Sequence, residues 1–331
     1  MHGNDKGASI LNLNRLFAAD GKAVVLATDH RYFGVVNGLE DPAGVITPLL
    51  PYVDVLMTEP HILRNVYGGH VDKPVMLRAS GCSTVMNISV PGYLQEPAKA
   101  AYTQRTGRAF DQVYAELTGL VKSGNASPAD QEELRYLNSF LYEPDTIGNE
   151  KLMLHAQECV NEGAAGAAVS VYLRTHYQSS TLDNLATMSR QARPLGLPVL
   201  GVVAVGTALG YLEQDIDFLT RAAAVMVSHG ADIIKTYNCG DGFDKVIAAT
   251  GVPVIVAGGK VPKGKDPTVD TIELAYDCMQ KGAAGLDFGR RIWRHEHPVA
   301  VARTLGAIVH DNLTPKEAMQ LFEEASNQQP V

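Results

Sequence analysis

Eight short apolar runs recur along the chain at helix-sized intervals: Ala23 to Thr28, Val53 to Thr58, Val75 to Ala79, Gly166 to Tyr172, Pro198 to Ala204, Ala231 to Tyr237, Pro253 to Ala257 and Gly285 to Phe288. Each is continuously apolar instead of alternating, the pattern of parallel strands buried on both faces. Eight such units predict an α/β fold, a closed (β/α)8 TIM barrel, over an open doubly wound sheet. Gly163, Gly196, Gly230 and Gly282 follow helical patterns and punctuate the passage from helix to strand. Residues 1 to 331 read as one barrel domain, a size such barrels reach when they carry insertions.

The third unit is too long for an ordinary crossover. Residues 92 to 138 carry mixed charge, tyrosines and the turn-forming Ser123-Gly124-Asn125, with helical stretches near Ala109 to Val121 and Pro128 to Leu141. They read as a helical insertion leaving the C-terminal face of the third strand, either a lid or a contact between subunits.

A formal net charge of −8 argues against general affinity for nucleic acid or an anionic membrane. An anionic substrate would therefore need local positive groups. The four cysteines, Cys82, Cys159, Cys239 and Cys278, are scattered and read as reduced cytosolic thiols. The first twenty residues contain Asp5, Lys6, Arg15 and Asp20 without a signal-peptide pattern, and no later segment has the length of a membrane span, so the expected location is the cytoplasm.

In a barrel of this kind the C-terminal strand ends form the active face. Those ends carry Thr28-Asp29-His30, Thr58-Glu59, Arg78-Ala79-Ser80, Tyr172-Leu173-Arg174 and Lys235-Thr236-Tyr237. An amine at the end of an apolar strand is costly unless chemistry needs it there. An ordinary lysine has a pKa of about 10.4, so a nucleophilic Lys235 needs burial and neighbouring cations such as Arg78 to free its amine. Attack on a ketone gives an iminium that withdraws electrons from the adjacent carbon and opens a C–C bond to cleavage or formation. The competing reading is a lysine that snorkels or pairs at a strand end.

Asp29 is a candidate to orient the amine or shuttle protons, and His30 to bind a substrate hydroxyl or hold Asp29; a local turn contact and a structural histidine compete. Arg78 and Tyr237 are candidates to bind the substrate, and Asp287 reads equally well as an internal salt-bridge partner. Gly258-Gly259 and Gly289-Arg290 stand where many barrels bind phosphate, with Lys260 nearby. Two tight turns that simply need glycine are the alternative. His295-Glu296-His297 places its histidines at i and i+2, not on one helical face, and precedes Pro298; helix capping is the better reading, and no metal is expected.

The stretches Leu26-Ala27-Thr28-Asp29-His30-Arg31-Tyr32-Phe33, Asp54-Val55-Leu56-Met57, Pro74-Val75-Met76-Leu77-Arg78-Ala79-Ser80-Gly81, Ile233-Ile234-Lys235-Thr236-Tyr237, Ile255-Val256-Ala257-Gly258-Gly259-Lys260 and Asp287-Phe288-Gly289-Arg290 resemble one family. It is the DhnA-type class I aldolase family, and within it the branch with the autoinducer-2 pathway thiolase acting on 3-hydroxy-5-phosphonooxypentane-2,4-dione. The resemblance covers residues 10 to 325 apart from the insertion. It implies a (β/α)8 barrel, Lys235 as the Schiff-base residue, Asp29 in the catalytic network, and phosphate held by the glycine turns and Arg290. It also implies a homo-oligomer with no bound cofactor.

Family members acting on fructose bisphosphate typically carry Trp-x-Tyr-x-Arg on the fifth strand, with the tyrosine as acid/base. The equivalent stretch here is Val202-Val203-Ala204-Val205-Gly206. Ala204 cannot transfer a proton, and Gly206 cannot bind a second phosphate through a side chain. The departure favours the thiolase-like branch, which implies acetyl transfer to coenzyme A as co-substrate with release of dihydroxyacetone phosphate. A class I aldolase for fructose bisphosphate or another sugar phosphate, and a non-catalytic sugar-phosphate-binding barrel, are the alternatives. The group replacing the tyrosine as proton donor is not legible in the sequence.

Overall fold

The computed structural model describes residues 12–33, 37–82, 91–141, 148–205 and 207–327. Each of the eight apolar runs forms a strand: β1 (Ala23–Ala27), β2 (Val55–Thr58), β3 (Val75–Arg78), β6 (Gly166–Tyr172), β7 (Val199–Ala204), β8 (Ile233–Thr236), β9 (Val254–Ala257) and β10 (Gly285–Phe288). They close into a barrel in the order β1-β10-β9-β8-β7-β6-β3-β2. Every pair in the ring is parallel. β2 and β8 begin two residues later than their apolar runs because an aspartate precedes each and caps its neighbour. Asp54 Oδ2 accepts from Val24 N at 2.7 Å, and Asp232 Oδ2 accepts from Val199 N at 2.9 Å.

The continuous apolarity of the strands has a direct cause. Alternate residues pack inside the barrel and outside it. Val25, Val55, Met57, Met76, Ala168, Leu200, Ile233 and Ile255 fill the interior together with Leu16. Val24, Leu26, Leu56, Leu77, Val169, Val203, Ile234 and Val256 face the surrounding helices in a second cluster. Each fully buried side chain of this size contributes about 1.5–3 kcal/mol. Leu16 meets the first residue of β6, where a Cβ on Gly166 would lie 3.2 Å from Leu16 Cδ1, so the segment before β1 plugs the N-terminal end. The opposite end is left for polar side chains.

Closure of the ring depends on glycine at both ends of β10. A Cβ on Gly285 would lie 2.0 Å from Ala23 O, and one on Gly289 would lie 2.5 Å from Ala27 O. Any side chain there pushes β10 off β1. Gly163, Gly196, Gly230 and Gly282 lie at φ 75°, 64°, 99° and 93° just before their strands, as their spacing in the sequence predicts.

Between β3 and β6 the chain makes a short antiparallel clip, β4 (Ser80–Cys82) with β5 (Glu150–Leu152). Among the described residues, three helices lie between the clip strands: Gly92–Thr106, Phe110–Ser123 and Pro128–Leu141. The second and third follow the helical patterns in the sequence. The first is additional, masked by Pro97, which forfeits a helical hydrogen bond yet sits inside the helix. The three pack around Tyr102, Phe110, Val113, Leu117 and Leu137. Their far end touches the loop after β9, where Lys263 Nζ donates to Ser123 O. β3 and β9 are four places apart in the ring of eight, so these helices reach the opposite side of the barrel's rim. No helix among the described residues is long and apolar enough to cross a membrane.

Candidate active site

Lys235 is the third residue of β8, where it pairs in register with Val202 of β7 and Ile255 of β9. Ile233 two residues earlier belongs to the interior cluster, so strand alternation turns Lys235 inward, and only 8% of the residue is exposed. Its Nζ lies 2.9 Å from Asp287 Oδ2 on β10. Asp287 is 1% exposed. Burial raises its carboxyl above the ordinary carboxylate range and the Asp29 charge adds to this, against the opposing pull of Lys235.

Asp29 opens the short 3-10 turn Asp29–Phe33 that follows β1. Burial alone would raise its carboxyl too. The neighbouring His30 ring and the charges of Arg78 and Lys235 outweigh burial and hold Asp29 well below the usual range. The two buried carboxylates around the amine are thus driven in opposite directions, the arrangement that separates an acid from a fixed anion. His30 Nδ1 sits 3.7 Å from Asp29 Oδ1 with its side chain 32% exposed, beside the pair rather than within it.

Arg78, expected among the substrate-binding residues, has a different part in this geometry. Its Nε donates to Ser80 O at 2.9 Å and its Nη1 to Asp29 Oδ2 at 3.2 Å. Its Nη2 donates to Glu150 Oε1 at 2.8 Å and also to Ser170 Oγ. All three nitrogens donate within the protein, which makes Arg78 the residue that positions Asp29. Glu150 arrives from β5 of the clip, fully buried, with its backbone O accepting from Asn184 Nδ2 at 2.8 Å. Sequence reasoning missed Glu150, because a carboxylate 72 residues from Arg78 in a charged segment carries no local signal.

The neighbouring strands β9 and β10 end in the glycine turns. Gly258 and Gly259 follow β9, and Gly289 and Arg290 follow β10. Arg290 is half-buried and its side chain makes no hydrogen bond or ion pair among the described residues; burial, then Arg294, pushes its guanidinium below its ordinary value. Arg291, also missed, fastens the two turns together. It pairs with Asp270 Oδ2 at 2.9 Å and donates to Thr271 Oγ1 at 3.0 Å, to Lys260 O at 3.2 Å and to Gly258 O. Trp293 Nε1 donates to Ala27 O at 3.0 Å and ties the same segment to β1.

Tyr237 lies two residues beyond Lys235. Burial, then the Glu213 charge, pushes its phenol well above the usual value, with Arg290 opposing. A cavity of about 310 Å³ is lined by Glu213, Tyr237, Gly258, Gly259, Lys260 and Arg291. A larger one, about 580 Å³, lies against the helix Ile216–Ser228 and is lined by Leu173 and Arg174 from the end of β6 but by none of Lys235, Asp29, Asp287 or the glycine turns. The smaller cavity adjoins the glycine turn after β9 and Tyr237 after β8, and is lined by neither Lys235 nor Asp287. On β7, Ala204, expected at the acid/base position, is the last residue of the strand and carries no ionisable group, while Gly206 lies outside the described residues.

Among the described residues no group of three or more His, Cys, Asp or Glu is placed to hold a metal ion. His297 takes the N-cap position of the helix Pro298–Asp311 without a side-chain cap, and its N–H donates to His295 Nδ1 at 3.0 Å. The pair does stand at the helix start, with the His295 ring accepting from the N–H of the N-cap residue and neither ring capping the helix's own N–H groups.

Residues 131–295 match the DeoC/LacD family aldolase. A Shigella flexneri protein named 3-hydroxy-5-phosphonooxypentane-2,4-dione thiolase is 30% identical over 91% of this chain and 93% of its own length. The Salmonella typhimurium protein of the same name is 31% identical over 91% of this chain and 81% of its own. Among solved structures, an archaeal fructose 1,6-bisphosphate aldolase superposes with a TM-score of 0.64 at 19% identity, covering 92% of this chain and 99% of that one, a likeness of fold. The chain belongs to the DeoC/LacD aldolase family and is an enzyme of the aldolase superfamily.

Proposed function

We propose that this enzyme uses Lys235 to form a Schiff base with a phosphorylated diketone of the type named for its relatives, 3-hydroxy-5-phosphonooxypentane-2,4-dione, and passes the acetyl group to coenzyme A. The observation that carries the reading is a buried, inward-facing Lys235 amine in contact with Asp287. The strands next in the ring, β9 and β10, supply two glycine turns and an uncommitted Arg290.

The chemistry follows from the substrate's connectivity. The amine condenses with the C4 carbonyl, next to the C5 carbon that bears the phosphate, and water leaves. The thiolate of coenzyme A then adds to the C2 carbonyl. The C2–C3 bond breaks, C1 and C2 leave as the acetyl thioester, and the bonding pair moves into a C3=C4–N enamine. Protonation at C3 and hydrolysis of the iminium release dihydroxyacetone phosphate and restore the lysine. The phosphate is only one carbon from the imine, which suits glycine turns on the strands beside β8. Arg290 and the turn N–H groups of Gly259 and Gly289 bind the phosphate oxygens in this reading. Coenzyme A enters as a co-substrate, and the iminium itself takes up the electrons.

Simple aldol cleavage of a fructose bisphosphate is the weaker reading, because Ala204 leaves β7 without the phenol that family members use there. The test is mass analysis after borohydride reduction with dihydroxyacetone phosphate, comparing wild type with Lys235→Met. An adduct confined to Lys235, followed by acetyl transfer that strictly requires coenzyme A, is the expected outcome. Adducts of equal yield in Lys235→Met would refute the covalent role, and cleavage without coenzyme A would refute the thiolysis.

A further inference from the structure

Schiff-base formation needs a group that handles protons at the amine, and the fifth strand does not provide one. The amine must lose a proton before it can attack, and the carbinolamine hydroxyl must gain one before it leaves as water. Ala204 stands where the relatives acting on fructose bisphosphate keep a tyrosine. Asp29 is held as an anion by Arg78, which is itself pinned by Glu150, so it has no proton to give. His30 sits 3.7 Å from Asp29 and faces solvent on one side.

Among the described residues, Asp287 is the group paired with the reacting nitrogen. Asp287 Oδ2 is at ion-pair distance, 2.9 Å, from Lys235 Nζ, and both its oxygens are buried without a hydrogen bond among the described residues. Register holds it there: Asp287 pairs with Ala257 of β9 and Val25 of β1, between two strands that offer no polar side chain at those positions. From these contacts we infer that Asp287 is the catalytic acid and base at Lys235, taking the ammonium proton before attack and returning it to the departing carbinolamine hydroxyl. The inference rests on the Schiff-base reading above and adds the group that moves the protons.

The step balances. The ammonium and the Asp287 carboxylate become amine and carboxylic acid. The amine adds to the carbonyl to give the carbinolamine, and the acid then protonates the hydroxyl. Water leaves, an iminium remains, and Asp287 is again a carboxylate beside a positive nitrogen. No net proton is taken from solvent, which matters in a barrel interior where only 8% of Lys235 is exposed. The charged groups facing Asp287 are Lys235 from β8 and Asp29 and His30 from the end of β1. Burial and the fixed Asp29 charge favour the protonated form, whereas the ammonium or iminium favours the carboxylate, so the group switches as the adjacent nitrogen changes charge.

The experiment is the rate of borohydride trapping with dihydroxyacetone phosphate in wild type, Asp287→Asn and Asp287→Ala, with melting curves for all three. Asp287→Asn is expected to trap about 100- to 10,000-fold more slowly, the range for loss of a general acid or base. Affinity for inorganic phosphate should stay within about twofold, because the phosphate turns are untouched. Added formate should restore trapping in Asp287→Ala, where it fits the vacated space and supplies a carboxyl group. A merely structural role would lower the melting temperature and phosphate affinity without rescue, and that result overturns the inference, as does trapping by Asp287→Asn at the wild-type rate. If Asp287→Asn does not fold, formate rescue of Asp287→Ala decides alone. Failure of wild type itself to trap would refute the Schiff-base reading, a result distinct from failure of Asp287 within it.

Discussion

Arg78→Met tests whether the buried ion network holds the active site. Methionine keeps most of the stem's volume and removes the guanidinium. Asp29 and Glu150, with side chains 6% and 0% exposed, would then face each other without their shared counter-charge. Removing one partner of a buried ion pair costs about 3–5 kcal/mol. At about 2.1 cal/mol/K per residue, unfolding of this chain carries an entropy of about 0.7 kcal/mol/K, so the loss corresponds to about 4–7 °C in Tm. The pH dependence gives a second signature. The Asp29 carboxyl is lowered in the folded state, so its stabilising contribution is complete above the ordinary aspartate value of about 3.9 and fades as pH falls through the folded value. Without Arg78 one of the influences lowering it is gone, and protonation at higher pH relieves the stranded charge. Calorimetry should therefore show the gap between wild type and variant widest near neutral pH and narrowing toward about pH 4. A gap below about 1 kcal/mol, or one constant with pH, would refute the network as the support of Asp29.

Two further perturbations address other parts of the molecule. Arg290→Gln should raise KM for a phosphorylated substrate about 10- to 100-fold, the worth of one charge-assisted hydrogen bond, while leaving that for an unphosphorylated analogue unchanged; steady-state kinetics on both substrates checks it. His310 sits between Asp20 and Asp54 at 2.9 and 3.0 Å, where burial lowers its pKa but the two aspartates raise it further, to a net rise. Its contribution is therefore present below the ordinary histidine value and lost as pH rises through the folded one. His310→Gln should cost about 1 kcal/mol near pH 5.5 and close to nothing near pH 9, as melting curves at both would show.

The strands were readable because burial on both faces leaves an unbroken apolar run, a signal that survives without any neighbour's help. Lys235 was readable for the same reason, as an amine breaking such a run. Asp287 was visible as a salt-bridge candidate, but its partner Lys235 lies two strands away, across β9, in a register that only the assembled sheet sets. Glu150 was hidden because the clip carries it back across the long third unit to Arg78. Arg290 and Arg291 are adjacent in sequence and chemically identical, yet one is uncommitted while the other fastens Gly258 and Lys260. Only the direction of each side chain from the turn separates them, and no sequence pattern encodes that.

The clip that delivers Glu150 has a consequence for how this enzyme can change. Its two strands bond to each other before the chain departs into the three helices and after it returns. The span between them works as a cassette mounted on a closed hinge pin. Lengthening, trimming or exchanging it adds little closure entropy, which grows only slowly with loop length. The carboxylate behind the pin stays in register with Arg78 throughout. Its outer end nonetheless leans on the loop that carries Lys263, three residues beyond Lys260. Lineages, or a protein engineer, can thus retune the far rim of the mouth by grafting a different cassette while the proton-handling interior remains as it is.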